Sequence, residues 1–357
     1  MMTAIATVLV GSLGASDNTI PSGPSVRHVT VEGDVTLEIL DWGGNGSAVV
    51  FLAALGADAH EFDEFAPKFT SNHHVYGITR RGFGDSSKPD TGYTNERLGH
   101  DVIEVLDALR IDRAVLVGHS MAGMELSWVG THKPERVAGL VYLEAAYGYA
   151  YYNEASNDPQ NVLIDAVELK HKLSEFLPGG GRPDRRRVTA ELLKDVTRIE
   201  RELRDYAETF KDQLDPPMDP ANPPHPPAWL TGIYQGLEKY TKIDVPVLAI
   251  YCVPHALSEL GDPTVLSKDP IAAAKTEDAD RRWVGSQVRA FRQGVPTARV
   301  VEIPHGSHFI FRSNEPEVFR EIDAFLKSLA TPFSKELDEK SNPKSSADNS
   351  GASPLRG

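Results

Sequence analysis

A serine hydroxyl is a poor nucleophile at neutral pH unless the backbone presents it and a base takes its proton. Ser120 lies in Gly118-His119-Ser120-Met121-Ala122-Gly123, directly after the apolar run Ala114–Val117 and ahead of a helix beginning near Met121. The pattern Gly-x-Ser-x-Gly/Ala is weak alone but specific at a strand-to-helix turn. Such a turn is sharp enough that Ser120 is expected at positive φ, and Gly118 and Ala122 must be small for backbone segments to approach. The hydroxyl is then held at the carboxyl edge of a sheet, and the helix N-terminus offers the Met121 N–H to a developing oxyanion. Two histidines, His305 and His308 in Pro304-His305-Gly306-Ser307-His308-Phe309-Ile310-Phe311, compete as the base. No carboxylate spacing near them supports a metal site. A third group must orient the imidazole. Glu144 ends the apolar strand Leu140-Val141-Tyr142-Leu143, where a carboxylate is costly unless partnered, and Glu259 and Asp262 are the alternatives.

These groups lie at the ends of elements that the apolar pattern predicts. Val29–Val31 and Val35–Leu40 flank Gly33-Asp34 as a hairpin. Ala48–Leu52, Val75–Ile78 and Ala114–Val117 read as strands buried on both faces, and Val137–Leu143, Val245–Tyr251 and Arg299–Ile303 as later strands. Amphipathic stretches at Glu61–Phe69 and Asn95–Leu109 lie between them, and a final helix runs from about Pro316 to Leu329. A hairpin followed by strand–helix alternation predicts an α/β protein with a mostly parallel sheet covered by helices. Residues 147–242 interrupt the alternation: they hold no strand pattern, have helical patterns at Val162–Phe176 and Thr189–Phe210, and carry seven prolines between Pro216 and Pro227, read as a rigid spacer.

With these features the chain resembles the α/β-hydrolase fold family over roughly Val26 to Leu329. The resemblance rests on the elbow at Ser120, the loop Arg80-Arg81-Gly82-Phe83-Gly84-Asp85-Ser86, the strand entry Pro134-Glu135-Arg136-Val137, and a late His before an apolar turn and a helix. It implies that His308 rather than His305 is the base. It also implies a second oxyanion donor after the third strand, where Ala53-Ala54-Leu55-Gly56 replaces the family's His-Gly; Leu55 is favoured over Ala54. The family most often places its acid after the seventh strand, but no acid stands where it is expected there. A subset places it after the sixth, which favours Glu144, 24 residues beyond Ser120. The implied architecture is an α/β-hydrolase core with a helical cap inserted after the sixth strand: residues 26–146 and 243–330 as core, 147–242 as cap, 1–25 as an N-terminal segment and 331–357 as a disordered tail. Tyr147 and Tyr149, with Tyr151 and Tyr152, open the cap and either line a substrate pocket or pack it on the core.

Composition narrows the function further. The 357 residues carry a net charge of −14, which repels nucleic-acid backbones and anionic lipid. Arg182, Arg185, Arg186 and Arg187 cluster locally, but Asp184 interrupts them and they read as a solvated helix start. The single Cys252 permits neither an intrachain disulfide nor a thiolate metal site. No phosphate- or dinucleotide-binding glycine motif is present, so no cofactor is expected. No apolar run reaches the length of a membrane span. Thr3–Gly14 has the size of a signal-peptide core but lacks a preceding Lys or Arg, giving a secreted or periplasmic location, with cytoplasmic as the alternative. The expected activity is a serine hydrolase that cleaves a small carboxylic ester or lactone through an acyl-enzyme. Rival activities on the same scaffold are an aminopeptidase or amidase, a carbon–carbon bond hydrolase, a cofactor-free peroxidase, and a low-turnover ligand-binding module. Oligomeric state is not readable from sequence.

Overall fold

A computed structural model describes residues 23–154, 158, 161–176, 184–209 and 226–341. The predicted hairpin forms as β1 (Ser25–Thr30) and β2 (Thr36–Gly43), paired antiparallel around a turn where Gly33 adopts φ 62°. Then follow β3 (Ser47–Leu52), β4 (His73–Ile78), α1 (Asn95–Ala108), β5 (Ala114–His119), α2 (Gly123–His132) and β6 (Val137–Leu143). After β6 the chain forms α3 (Asn161–Phe176), α4 (Arg185–Thr209) and α5 (Ala228–Gln235) before returning to the sheet as β7 (Val247–Cys252). The short helices α6 (Leu257–Leu260) and α7 (Pro263–Leu266), the long α8 (Pro270–Gly294), β8 (Ala298–Ile303), α9 (Ile310–Ser313) and α10 (Glu315–Ser341) complete it.

The eight strands form one sheet in the order β1-β2-β4-β3-β5-β6-β7-β8, and every pair from β4 to β8 is parallel. The strands read as apolar runs are buried on both faces because helices cover both sides. One layer packs α1, α2 and α8 through Val105, Leu106, Leu126, Val129, Val288 and Phe291. The other packs Phe62, Phe65, Phe69 and the α10 residues Val318, Ile322 and Phe325. Since β3 pairs with both β4 and β5, the winding direction reverses beside it, and open α/β sheets bind ligands at the carboxyl ends of strands flanking such a switch point.

Three sequence expectations are corrected. Glu61–Phe69 is not one amphipathic helix but two 3-10 turns, Ala59–Phe62 and Ala66–Phe69, because Pro67 lies where a continuous helix needs an N–H. The last helix runs on to Ser341, past the Leu329 at which its apolar pattern ends. The insertion holds a third helix, α5, that its short apolar pattern did not reveal. The segment Thr3–Gly14, most of the proline-rich stretch and residues 342–357 lie outside the described residues.

The insertion is held to itself by charge and to the core by apolar contact. Buried Asp165 of α3 accepts from Arg198 of α4 at 3.0 and 3.1 Å and from Tyr152 at 2.9 Å, and pairs with Lys239. Ile164, Ile233 and Leu237 pack with Tyr93, Leu98 and Met124 of the core. Arg185, Arg186 and Arg187 open α4, where the Asp184 side chain accepts from the Arg186 and Arg187 N–H groups at 3.2 and 3.3 Å, while Arg182 lies outside the described residues. Among the described residues no helix is long and apolar enough to cross a membrane.

Candidate active site

At the end of β5 the backbone turns directly into a 3-10 turn, Ser120–Ala122, and then α2. Ser120 adopts φ 53°, a left-handed conformation that a non-glycine residue holds only where its surroundings impose it. Those surroundings are tight. A Cβ on Gly123 would lie 1.9 Å from the Ala145 carbonyl oxygen, and one on Gly118 would lie 2.9 Å from Leu126 Cδ1. The sequence pattern singled out Gly118 and Ala122; the strictest requirement falls on Gly123, through a contact with the strand next door.

His308 follows β8 and reaches back so that its Nε2 lies 2.9 Å from Ser120 Oγ. His305, the other candidate, is exposed at the strand end with φ 59° and makes no contact with the serine. On the far side of the His308 ring, Nδ1 lies 3.5 Å from Glu144 Oε2, an ion-pair separation longer than a close hydrogen bond. Glu144 too is left-handed, φ 50°, where the chain leaves β6, and it is completely buried. Its Oε1 accepts the Cys252 N–H at 2.5 Å, and its Oε2 accepts from Tyr147 at 2.6 Å and His255 Nε2 at 2.8 Å. Burial alone raises the pKa of this carboxylate, but the hydrogen bonds from His255 and His308, the His255 charge and the Tyr147 hydroxyl outweigh burial and bring it down to about 2. Glu259 is exposed, and Asp262 caps its own turn through Thr264 at 2.8 Å, so neither joins the cluster.

The two tyrosines offered as pocket residues part company. Tyr147 packs on the core: it is buried against Trp283, ring centroids 5.7 Å apart, and its hydroxyl donates to Glu144 at 2.6 Å. Tyr149 lines a cavity of about 170 Å³ with Met121, Leu163, Ile164, Tyr234 and Leu237, and its hydroxyl interacts with Ser120. Burial foremost, and then the Glu144 charge, raises the Tyr149 pKa, so the phenol keeps its proton.

The loop after β3 is held by side chains that sequence reasoning did not find. Glu61 Oε1 accepts the Ala54 N–H at 2.9 Å, which occupies that amide; no described residue accepts from the Leu55 N–H. Arg80 donates to the carbonyls of Ala53 and Ala54 at 3.0 and 3.3 Å while forming a bidentate pair with Glu125 of α2 at 2.6 and 2.8 Å. The loop is therefore braced from below, although the family's His-Gly is absent. His119, next to the serine, faces Glu61 with Nδ1 at 3.2 Å and the His308 carbonyl with Nε2 at 2.9 Å. Glu61 thus joins the β3 loop, the elbow and the histidine loop; as one of several acids in an amphipathic stretch it carried no sequence signal. Glu61→Ala, which frees the Ala54 amide and loosens this junction, is expected to lower kcat roughly 10- to 100-fold with KM nearly unchanged, less than the ~10²- to 10³-fold lost when an oxyanion donor is removed outright. Steady-state ester kinetics measure it.

Glu144, His255 and His308 are also the group among the described residues whose donor atoms all lie within 4.8 Å of one another. The 2.8 Å separation of His255 Nε2 and Glu144 Oε2 is a direct hydrogen bond, shorter than the roughly 3.3 Å between two ligands of one tetrahedral ion. The cluster as built is a hydrogen-bonded one. Chemically, the arrangement can present an alkoxide-forming serine, a base to receive its proton, a buried anion to balance the imidazolium, and backbone amides at the elbow and in the loop after β3.

Residues 49–322 match the profile of a family described as the alpha/beta hydrolase family. A stretch of 114 residues is 32% identical to 3-oxoadipate enol-lactonase 2 of Acinetobacter baylyi, covering 32% of this chain and 43% of that protein. A stretch of 120 residues is 33% identical to a non-heme chloroperoxidase of Streptomyces lividans, covering 33% and 44%. The chain thus spans less than half the length of these curated relatives. Among solved structures, a bacterial membrane phospholipase A superposes with a TM-score of 0.53 at 21% identity over 87% of each chain, a likeness of fold.

Proposed function

The chain belongs to the alpha/beta hydrolase family, and from that premise we propose that it is a serine hydrolase of small carboxylic esters or lactones. The observation that carries this reading is the 2.9 Å approach of His308 Nε2 to the strained Ser120 hydroxyl. Ser120 Oγ attacks the carbonyl carbon as His308 takes its proton. The Met121 and Leu55 N–H groups hold the oxyanion, and Glu144 balances the imidazolium. Collapse of the tetrahedral intermediate expels the alcohol, which takes the proton from His308. A water molecule, deprotonated by the same histidine, then attacks the acyl-serine and releases the acid.

The helices inserted after β6 act in this reading as a cap that shapes the acyl site. Among the described residues, the cavity beside Ser120 is lined by apolar side chains and two tyrosines, with no charged side chain. At about 170 Å³ it is smaller than the ~300–1,000 Å³ of pockets for drug-sized ligands, and suits a short uncharged acyl chain or a small lactone ring. The enol-lactonase relative, by its name, acts on a lactone, which favours testing lactones beside esters. A panel of p-nitrophenyl esters from acetate to dodecanoate, a γ-lactone series and aminoacyl p-nitroanilides tests the reading. Expected are a kcat/KM maximum at acyl chains of about six carbons or fewer and at least 100-fold slower amide cleavage. Faster cleavage of the anilides would turn the assignment to the amidase branch.

A further inference from the structure

Glu144 does not end the hydrogen-bonded chain that begins at Ser120. Its Oε2 also accepts from His255 Nε2 at 2.8 Å, closer than the 3.5 Å to His308 Nδ1. The opposite ring nitrogen of His255 lies 3.1 and 3.2 Å from the two oxygens of Asp280 on α8, and the His255 backbone N–H donates to the same carboxylate at 2.8 Å. Both residues are buried. His255 therefore stands in the loop after β7, where the family usually has its acid, as a cation-capable group gripped between two carboxylates. The loop is in turn joined to the one that carries His308: His305 N–H donates to the Pro254 carbonyl at 2.7 Å and Ala256 N–H to the Gly306 carbonyl at 2.8 Å.

We propose that His255, clamped by Asp280, is a positioning residue that fixes the Glu144 carboxylate toward His308 and divides its charge, extending the chain to Ser120–His308–Glu144–His255–Asp280. This role rests on the hydrolase reading above. A carboxylate with four donors around two oxygens has no freedom to rotate, so its orientation toward His308 is set before substrate arrives. Burial opposes a charge on His255, but the hydrogen bonds and charges of Asp280 and Glu144 prevail and hold its pKa at about 10. The other titratable groups facing the cluster are Tyr147 and Tyr149 after β6, Tyr251 and Cys252 of β7, Glu259 of α6, and His119 beside the serine. None of them supplies a second cation next to Glu144 Oε2.

The experiment compares the full chain with His255→Gln and Asp280→Asn in p-nitrophenyl butyrate kinetics from pH 5 to 9, with fluorophosphonate labelling and thermal unfolding run alongside. Removing the imidazolium leaves the whole Glu144 charge to His308. In His255→Gln the acid limb of kcat/KM should move up by about one pH unit, with kcat down roughly 10-fold and KM unchanged. In Asp280→Asn the uncompensated His255 cation should move the limb down. A merely structural role would lower activity in step with stability and leave both limbs in place, which overturns the proposal, as would an effect confined to KM. If His255→Gln does not fold, the limb of Asp280→Asn decides alone. Absence of labelling in the unaltered chain overturns the hydrolase reading together with this role; labelling with unmoved limbs overturns the role only.

Discussion

Ser120→Ala is expected to lower kcat by about 10⁴- to 10⁶-fold and to abolish fluorophosphonate labelling, while the protein unfolds at nearly the same temperature. The two halves of this expectation have separate physical grounds. The hydroxyl lies 2.9 Å from His308 Nε2, and without it the bound ester meets at best a water molecule with no fixed place. The fold, in contrast, does not rest on the hydroxyl. The strain at φ 53° is imposed by Gly123 against Ala145 and by the strand-to-helix turn, and alanine tolerates that conformation about as poorly as serine. Mass spectrometry of labelled protein, with a buried control serine such as Ser127 changed in parallel, checks the site; retention of more than about a tenth of the activity in Ser120→Ala would sink the nucleophile assignment.

Glu144→Gln should combine a loss of rate with a loss of stability. A glutamine in place of the carboxylate puts an amide N–H₂ among groups that already donate: Cys252 N–H, Tyr147 and His255. The imidazolium of His308 also loses its counter-charge, and isosteric acid-to-amide changes of this kind cost about 10⁴-fold in kcat. Removing one partner of a buried charged cluster costs about 3–5 kcal/mol of stability. The pH dependence follows from the direction of each shift. Glu144, depressed from 4.5 to about 2 in the folded state, contributes stability above pH 4.5 that disappears as pH falls toward 2. His255, raised from 6.5 to about 10, contributes stability below pH 6.5 that disappears as pH rises toward 10. The unaltered protein should therefore melt highest between about pH 4.5 and 6.5, and the gap between it and Glu144→Gln should narrow as pH approaches 2. Differential scanning calorimetry across pH 2–9 measures both, and a constant gap would contradict the assignment of Glu144 as the buried anion.

The alternation of apolar runs with amphipathic stretches was enough to read the sheet, because a strand covered by helices on both faces must be apolar along its whole length. Hence β3, β5 and β6 were legible to within a residue or two. The Glu61–Phe69 stretch misled because its apolar spacing fits a helix while Pro67 forbids one, and spacing alone does not weigh that conflict. The long α8 left no clear mark for a related reason: its first turns face solvent, and its core contacts, among them Val284, Val288 and Phe291, come from its second half.

Residue type and spacing determined that Ser120 sits at a strained turn before a helix, since that constraint is local: small neighbours, an apolar strand behind and a helix ahead. They also placed a histidine after the last strand. What only the tertiary structure decided was company across long stretches of chain. It brings Glu144 after β6, His255 after β7, Asp280 of α8 and His308 after β8 into one cluster, leaves Glu259 and Asp262 outside it, and gives Glu144 the Tyr147 hydroxyl as a donor. Hydrogen bonds between side chains on different elements leave no periodicity for a sequence to display. They arise only once neighbouring strand ends lie side by side, some 5 Å apart, and each buried charge takes the nearest partner that burial leaves it.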